Sequence, residues 1–138
     1  MTVVPTYLVD ANVIIRFFVQ DDRVKAAAAK SLVEQARKGK VVLEVPFTAI
    51  SETAHTLRSF YGIDRSEIAK ELLKFLKGVG ISTSAPSWML DALNECETRK
   101  VSFGDACMAA EARATGKAIA SFDRDFDSFA GVVRFEPK

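Results

Sequence analysis

Short apolar runs alternate with longer stretches of helical period along this chain. Val3 to Val9 is apolar and β-rich and reads as a buried strand, despite Pro5 near its start. Asp10 stops it, and Asn12 to Val19 reads as a first helix. Asp22 to Lys38 is strongly helical, with an alanine run and a basic last turn before Gly39. Val41 to Val45 is a second apolar run, ended by Pro46. Thr48 is placed to cap a helix reaching about Tyr61, whose inward stripe is Ile50, Ala54, Leu57 and Tyr61. Gly62 closes that helix, and Asp64 to Lys77 makes another, with Ile68, Leu72, Phe75 and Leu76 inward. Gly78 and Gly80 precede a short strand near Ile81. Helices follow at about Pro86 to Arg99 and Phe103 to Thr115, then short strands at Ala118 to Ala120 and Val132 to Phe135.

No internal repeat or low-complexity linker interrupts the pattern, so one domain over 1–138 is expected. Short apolar strands alternating with helices predict an α/β fold with a parallel sheet covered on both faces. Right-handed crossovers then set the strand C-termini along one edge, where ligands bind in such folds.

Composition narrows the chemistry. At 49% hydrophobic and 27% charged residues, the chain is globular rather than disordered. A net charge of +1 provides no global field toward nucleic acid, so RNA binding would need a local basic patch and bound metal. Cys96 and Cys107 form no CxxC pair, which argues against a disulfide framework or zinc site and for a reduced, cytoplasmic setting. The one histidine, His55, cannot supply a two-histidine zinc motif, although a nucleophilic triad remains open to it. Met1 to Pro5 has no basic leader character, and no apolar stretch approaches the length of a membrane span.

Four carboxylates fall at strand ends or near helix starts. Asp10 follows the first strand, Glu52 lies in the first turn of the helix after the second, Asp105 opens a later helix, and Asp123 follows the fourth strand. Each has an ordinary reading: Asp10 as a helix cap, Glu52 as a solvated residue complementing the helix dipole, Ser102-x-x-Asp105 as a capping box, Asp123 as a turn residue. Their coincidence points elsewhere. Carboxylates gathered at one sheet edge repel one another unless a cation sits among them. Oxygen ligands without His or Cys suit Mg²⁺, with Mn²⁺ as a substitute. Such an ion activates water and neutralises charge on a scissile phosphate, and the carboxylate count fits one ion or two.

In this order the motifs resemble those of PIN-domain ribonucleases, and among them the VapC-type toxins of toxin–antitoxin pairs. Leu8-Val9-Asp10-Ala11-Asn12-Val13-Ile14 looks like the family's opening strand and first acidic position, with Asn12 as its accompanying polar residue. Ile50-Ser51-Glu52 looks like the second acidic element and Phe103-Gly104-Asp105-Ala106 like the third. Ala120-Ser121-Phe122-Asp123 looks like the hydroxyl-x-Asp ending. The likeness spans essentially the whole chain, although Thr53 stands where the family more often carries an aliphatic residue. It implies a three-layer α/β/α sandwich with a five-stranded parallel sheet, Mg²⁺ dependence, catalysis by Asp10, Glu52, Asp105 and Asp123, and an RNA substrate. It also implies a homodimer and a small cognate antitoxin protein. Asn12, Ser121 and Asp125 are auxiliary candidates, Asp125 either assisting through water or capping the turn at Phe126.

Arg16 and Arg124 could meet RNA phosphates or be solvated charges, and His55 reads as a surface or groove-lining residue. Cys107 and Met108 read as core. Phe60, Tyr61, Leu72, Phe75 and Leu76 exceed what one helix face needs and suggest a dimer or antitoxin surface. A phosphatase of the haloacid-dehalogenase type would want Asp where Asn12 stands. A degenerate or housekeeping PIN module binding RNA or protein is the non-toxin alternative, but degeneration normally removes an acidic residue, and none is missing.

Overall fold

The computed structural model describes residues 3–138; Met1 and Thr2, the start of the segment read as lacking leader character, lie outside it. The elements run β1 (Thr6–Leu8), α1 (Ala11–Phe18), α2 (Arg23–Arg37), β2 (Val42–Val45), α3 (Phe47–Ser59) and α4 (Arg65–Leu76). They continue through β3 (Ile81–Thr83), α5 (Trp88–Arg99), α6 (Phe103–Thr115), β4 (Ile119–Ala120), a 3₁₀ turn (Arg124–Ser128) and β5 (Arg134–Phe135).

Helix starts follow from side-chain chemistry. The Asp22 carboxylate accepts the Lys25 N–H at 3.0 Å and opens α2, and Asp64 accepts from the Ser66 N–H at 2.9 Å before α4. Ser102 Oγ accepts the Asp105 N–H at 3.2 Å, so the predicted Ser102 cap of α6 is present. Helix α3 differs from expectation: it begins at Phe47 behind Pro46, with no side-chain cap, rather than at Thr48. Pro46 has no N–H to satisfy and holds an extended φ of −73°, which orients the chain into the helix unaided.

Among the described residues every strand pair is parallel, as expected, but the five strands do not join in one sheet. The strands divide into β1-β2-β3 and a separate pair, β4-β5. Thr6 stands opposite Val42, Leu43 opposite Ile81, and Ile119 opposite Arg134. Because β1 bonds to β2 alone, it is an edge and not the buried strand the Val3–Val9 pattern suggests: Tyr7 is 50% and Leu8 70% exposed. The strands of the expected single sheet therefore fall into a three-stranded and a two-stranded group.

The split is mirrored in the packing. Ile14, Leu43, Ile50, Leu57, Leu72, Met89 and Leu93 lie in one large apolar core, each contributing about 1.5–3 kcal/mol by leaving water. Of the predicted inward stripes, Ile50, Ala54, Leu57, Ile68, Leu72 and Phe75 are buried, while Tyr61 and Leu76 are half-buried. A second cluster holds Ala109, Ala112, Ile119, Phe126 and Phe129. Helix α6 serves both: Ala106, Cys107 and Ala110 face the large core, and Ala109 and Ala112 face the small one. The C-terminal segment is also tied to α5. Arg113 bridges Glu95 at 2.8 Å and donates to the Ala130 carbonyl, while the Arg99 guanidinium lies 4.7 Å above the Phe129 ring.

Candidate metal centre

Asp10 stands at the cap position of α1, but its side chain accepts no capping hydrogen bond and is exposed. Glu52 is exposed as well, off the buried stripe of α3 as its spacing predicts. Because α3 starts at Phe47, Glu52 lies in the second helical turn rather than the first. Asp105 is half-buried in the first turn of α6, its backbone held by Ser102. Asp123 follows β4 in a local lattice: its N–H donates to Ser121 Oγ at 2.9 Å, and its Oδ1 accepts the Asp125 N–H at 2.9 Å. The turn role considered for Asp123 is thus real, and it leaves the second carboxylate oxygen free of that bond.

Asp105, Asp123 and Asp125 each offer a carboxylate oxygen, all within 4.8 Å of one another. Asp10 and Glu52 are not members of that group. Asp10 follows β1 of the three-stranded sheet, whereas Asp123 follows β4 of the two-stranded one. Glu52 belongs to α3, and Asn12 lines a groove between α1 and α2 together with Arg16 and Lys25. The donor set of the group is all carboxylate oxygen, with no His or Cys. That chemistry fits a small hard dication such as Mg²⁺ or Mn²⁺.

Beside the start of α6 opens a cleft of about 330 Å³. Ser51, His55 and Arg58 of α3 line it, with Arg65 of α4 and Gly104 of α6. Arg58 and Arg65 had not been singled out as functional, yet a signal existed. Ser51, His55 and Arg58 recur at helical spacing, forming a polar stripe beside the buried one. This is local basic character of the kind the near-neutral net charge requires for an anionic polymer.

Other candidates resolve plainly. Arg16 is paired with Asp21 at 2.7 Å, and the Tyr61 hydroxyl donates to the same carboxylate at 2.8 Å. The Tyr61 bond, opposed by burial and reinforced by Arg16, holds the Asp21 carboxyl below its ordinary range. Arg124 is exposed at the start of the 3₁₀ turn, and His55 is exposed in the cleft. Both cysteines are free and buried; burial first, then nearby charge, pushes Cys96 up to about 11 and Cys107 to about 12. Such thiols carry little thiolate and are poor nucleophiles. Met108 departs from its expected core place: it is 49% exposed, on the outer side of α6. The suspected apolar surface is largely packed away, leaving Phe60 exposed against the Tyr61 ring at 4.9 Å.

Parallel strands, crossing helices and carboxylates gathered beside a helix start define an α/β domain equipped for a hard divalent cation. Residues 7–132 match the PIN domain model, and the chain belongs to the PIN-domain family. PIN domains are generally nucleases and typically use a divalent metal. No curated protein matches the chain at a significant level.

Proposed function

We propose that this protein is a Mg²⁺-dependent endoribonuclease that hydrolyses RNA phosphodiester bonds and acts as the toxin of a toxin–antitoxin pair. The carrying observation is the 4.8 Å convergence of Asp105, Asp123 and Asp125 in a PIN-family chain. These three side chains would hold Mg²⁺ or Mn²⁺, with Asp10 and Glu52 completing the acidic set. The bound ion supplies a water of lowered pKa and neutralises charge on the scissile phosphate. The protein's own part is positioning. Ser102 and Ser121 fix the backbones of Asp105 and Asp123, so the carboxylates are presented with little freedom to lose. Arg58 and Arg65 in the neighbouring cleft meet RNA phosphates, which orients the strand without reading its sequence. A cognate antitoxin would act by covering the acidic groove. A cytoplasmic setting accords with two free cysteines and, among the described residues, no helix long and apolar enough to cross a membrane.

Cleavage of end-labelled single-stranded RNA tests this directly. Asp105→Asn should abolish Mg²⁺-dependent cleavage at near wild-type thermal stability, and EDTA should stop the wild-type reaction until Mn²⁺ is added. Activity that persists in EDTA, or in the Asp105→Asn variant, would sink the assignment. Toxicity on expression, relieved by the adjacent small open reading frame and lost in Asp10→Asn, tests the toxin role. The alternative, a PIN module that binds RNA or protein without cutting, has one observation in its favour: Asp10 and Glu52 stand outside the convergent group. It requires RNA binding with no cleavage under any divalent ion.

A further inference from the structure

We propose that the cleft between α3, α4, α5 and the start of α6 is a subsite for one unpaired nucleotide of the RNA strand. The base sits against the apolar interior of the cleft, and its phosphate meets Arg58 and Arg65. The inference rests on the nuclease reading above and adds which residues hold the strand and why they require an unpaired base.

The cleft joins two kinds of surface. Its mouth carries His55, Arg58 and Arg65, all exposed, and no carboxylate occurs among the residues that line it. Neither arginine has an ion-pair partner among the described residues, and Arg58 makes only a long bond, 3.4 Å to the Ile63 carbonyl. Asp64, one residue before Arg65, is engaged instead by the Ser66 N–H at 2.9 Å and by Lys100 at 3.7 Å. Behind the mouth the lining turns apolar: Ala54, Ile68 and Leu93 are buried, and Phe103 is half-buried. The Phe103 ring packs near Phe47, with centroids 6.2 Å apart and planes 30° from parallel.

A bare anion has no use for such an interior, and an apolar side chain has none for two guanidinium groups. A nucleotide uses both, because a flat base stacks on apolar and aromatic surface while its backbone is anionic. Size agrees. The cleft holds about 330 Å³, at the small end of the range of about 300–1,000 Å³ for ligand sites, which admits one splayed nucleotide and not a duplex. Position agrees too. Ser102, Phe103 and Gly104 line the cleft and lead directly into Asp105, so the same first turn of α6 walls the subsite and presents a carboxylate of the metal group.

Gly104 offers a way to close the cleft. It is exposed, and a Cβ there would meet nothing within 4 Å, so Gly104→Leu adds apolar bulk at the wall while gaining helix propensity. Adenosine 5′-monophosphate, ribose 5-phosphate and a short acidic peptide are titrated into the full chain by NMR in EDTA, where neither metal nor cleavage enters. The nucleotide should bind about tenfold more tightly than ribose 5-phosphate, the low end of what stacking one base contributes, with amide shifts at Ser51, His55 and residues 102–104. Gly104→Leu should erase that advantage, and Phe103→Leu, which keeps apolar volume without the ring, should reduce it. Arg58→Ala should weaken both phosphate ligands alike. Equal binding of the two, shifts elsewhere, or an advantage that survives both leucine variants overturns the subsite. Tighter binding of the peptide at these residues also overturns it and assigns the cleft to a protein partner.

Cleavage with Mg²⁺ separates this inference from the nuclease reading. The wild type should cut a single-stranded RNA about tenfold or more faster than the same strand annealed to its complement, since unpairing a base costs energy that the single strand is spared. Equal rates on the two would overturn the subsite and leave the nuclease intact. Nucleotide binding as expected, with no RNA cleaved under any divalent ion, would retire the nuclease reading and keep the subsite.

Discussion

Thr53 is wholly buried on α3, and its hydroxyl has no hydrogen-bond partner. A buried hydroxyl left unpaired costs on the order of 1–3 kcal/mol relative to one that is solvated or bonded. Valine has the same shape without that cost. Thr53→Val should therefore stabilise the protein by about 1 kcal/mol, read as a higher urea midpoint at unchanged slope; an unchanged midpoint would mean the hydroxyl has a partner. Glu95 is the opposite case, a carboxylate with two. Burial pushes it up, but hydrogen bonds and charge from Arg113 at 2.8 Å and Arg99 at 3.1 Å prevail and hold it below its ordinary 4.5. A depressed carboxylate stabilises the fold above that ordinary value and loses the contribution as pH falls through the folded one. Glu95→Gln should lower stability at pH 7 and flatten the loss on acidification below 4.5, measured as thermal midpoint against pH. Neither residue's importance is legible in sequence, since burial and partners come from distant segments. Asp105 and Asp123 were legible because local signals, Ser102 and Ser121, mark their turns. The place of Asp125 in the group was open until the 3₁₀ turn fixed it.

Elements with a strong period were readable, and α6 runs over the span its pattern gives. Helix starts at Asp22, Asp64 and Ser102 follow from polar atoms a few residues from the amides they satisfy. Strands fared worse. The Val3–Val9 pattern records apolar side chains but not who stands beside them, and lateral pairing is a contact between remote parts of the chain. Gly80 shows how closely elements can approach. Its φ is +79°, and a Cβ there would lie 2.4 Å from the Ala36 carbonyl oxygen at the end of α2. Its own carbonyl accepts the Leu43 N–H, so no shift is available without loosening β2. Gly80→Ala should cost about 3 kcal/mol or more, whereas Gly39→Ala, equally positive in φ but in open space, should cost about 1. Chemical unfolding of the pair separates steric contact from backbone conformation; equal losses would refute the contact.

Across the whole molecule, charge is nearly balanced and its distribution decides what the surface attracts. The cleft carrying Arg58 and Arg65 is bounded by Ser102, Phe103 and Gly104, the residues that lead into Asp105. Arg58→Ala should weaken RNA binding by a similar factor for unrelated sequences and reduce the slope of log affinity against log salt by about 0.7. A loss confined to one sequence would instead make Arg58 a base reader. The division into two sheets and two cores was not visible in the residue pattern, because it depends on which face of α6 meets which cluster.

That helix has a consequence for how the protein can change over generations. With Ala106, Cys107 and Ala110 turned one way and Ala109 and Ala112 the other, five of its thirteen positions admit little beyond a methyl or a thiol. Novelty has few footholds there: Gly104, Met108, Glu111 and Ala114 are the exposed positions between its ends. A lineage altering partners or substrates would keep α6 nearly still and vary the neighbouring helices instead, so inheritance of this segment should be the most conservative in the chain.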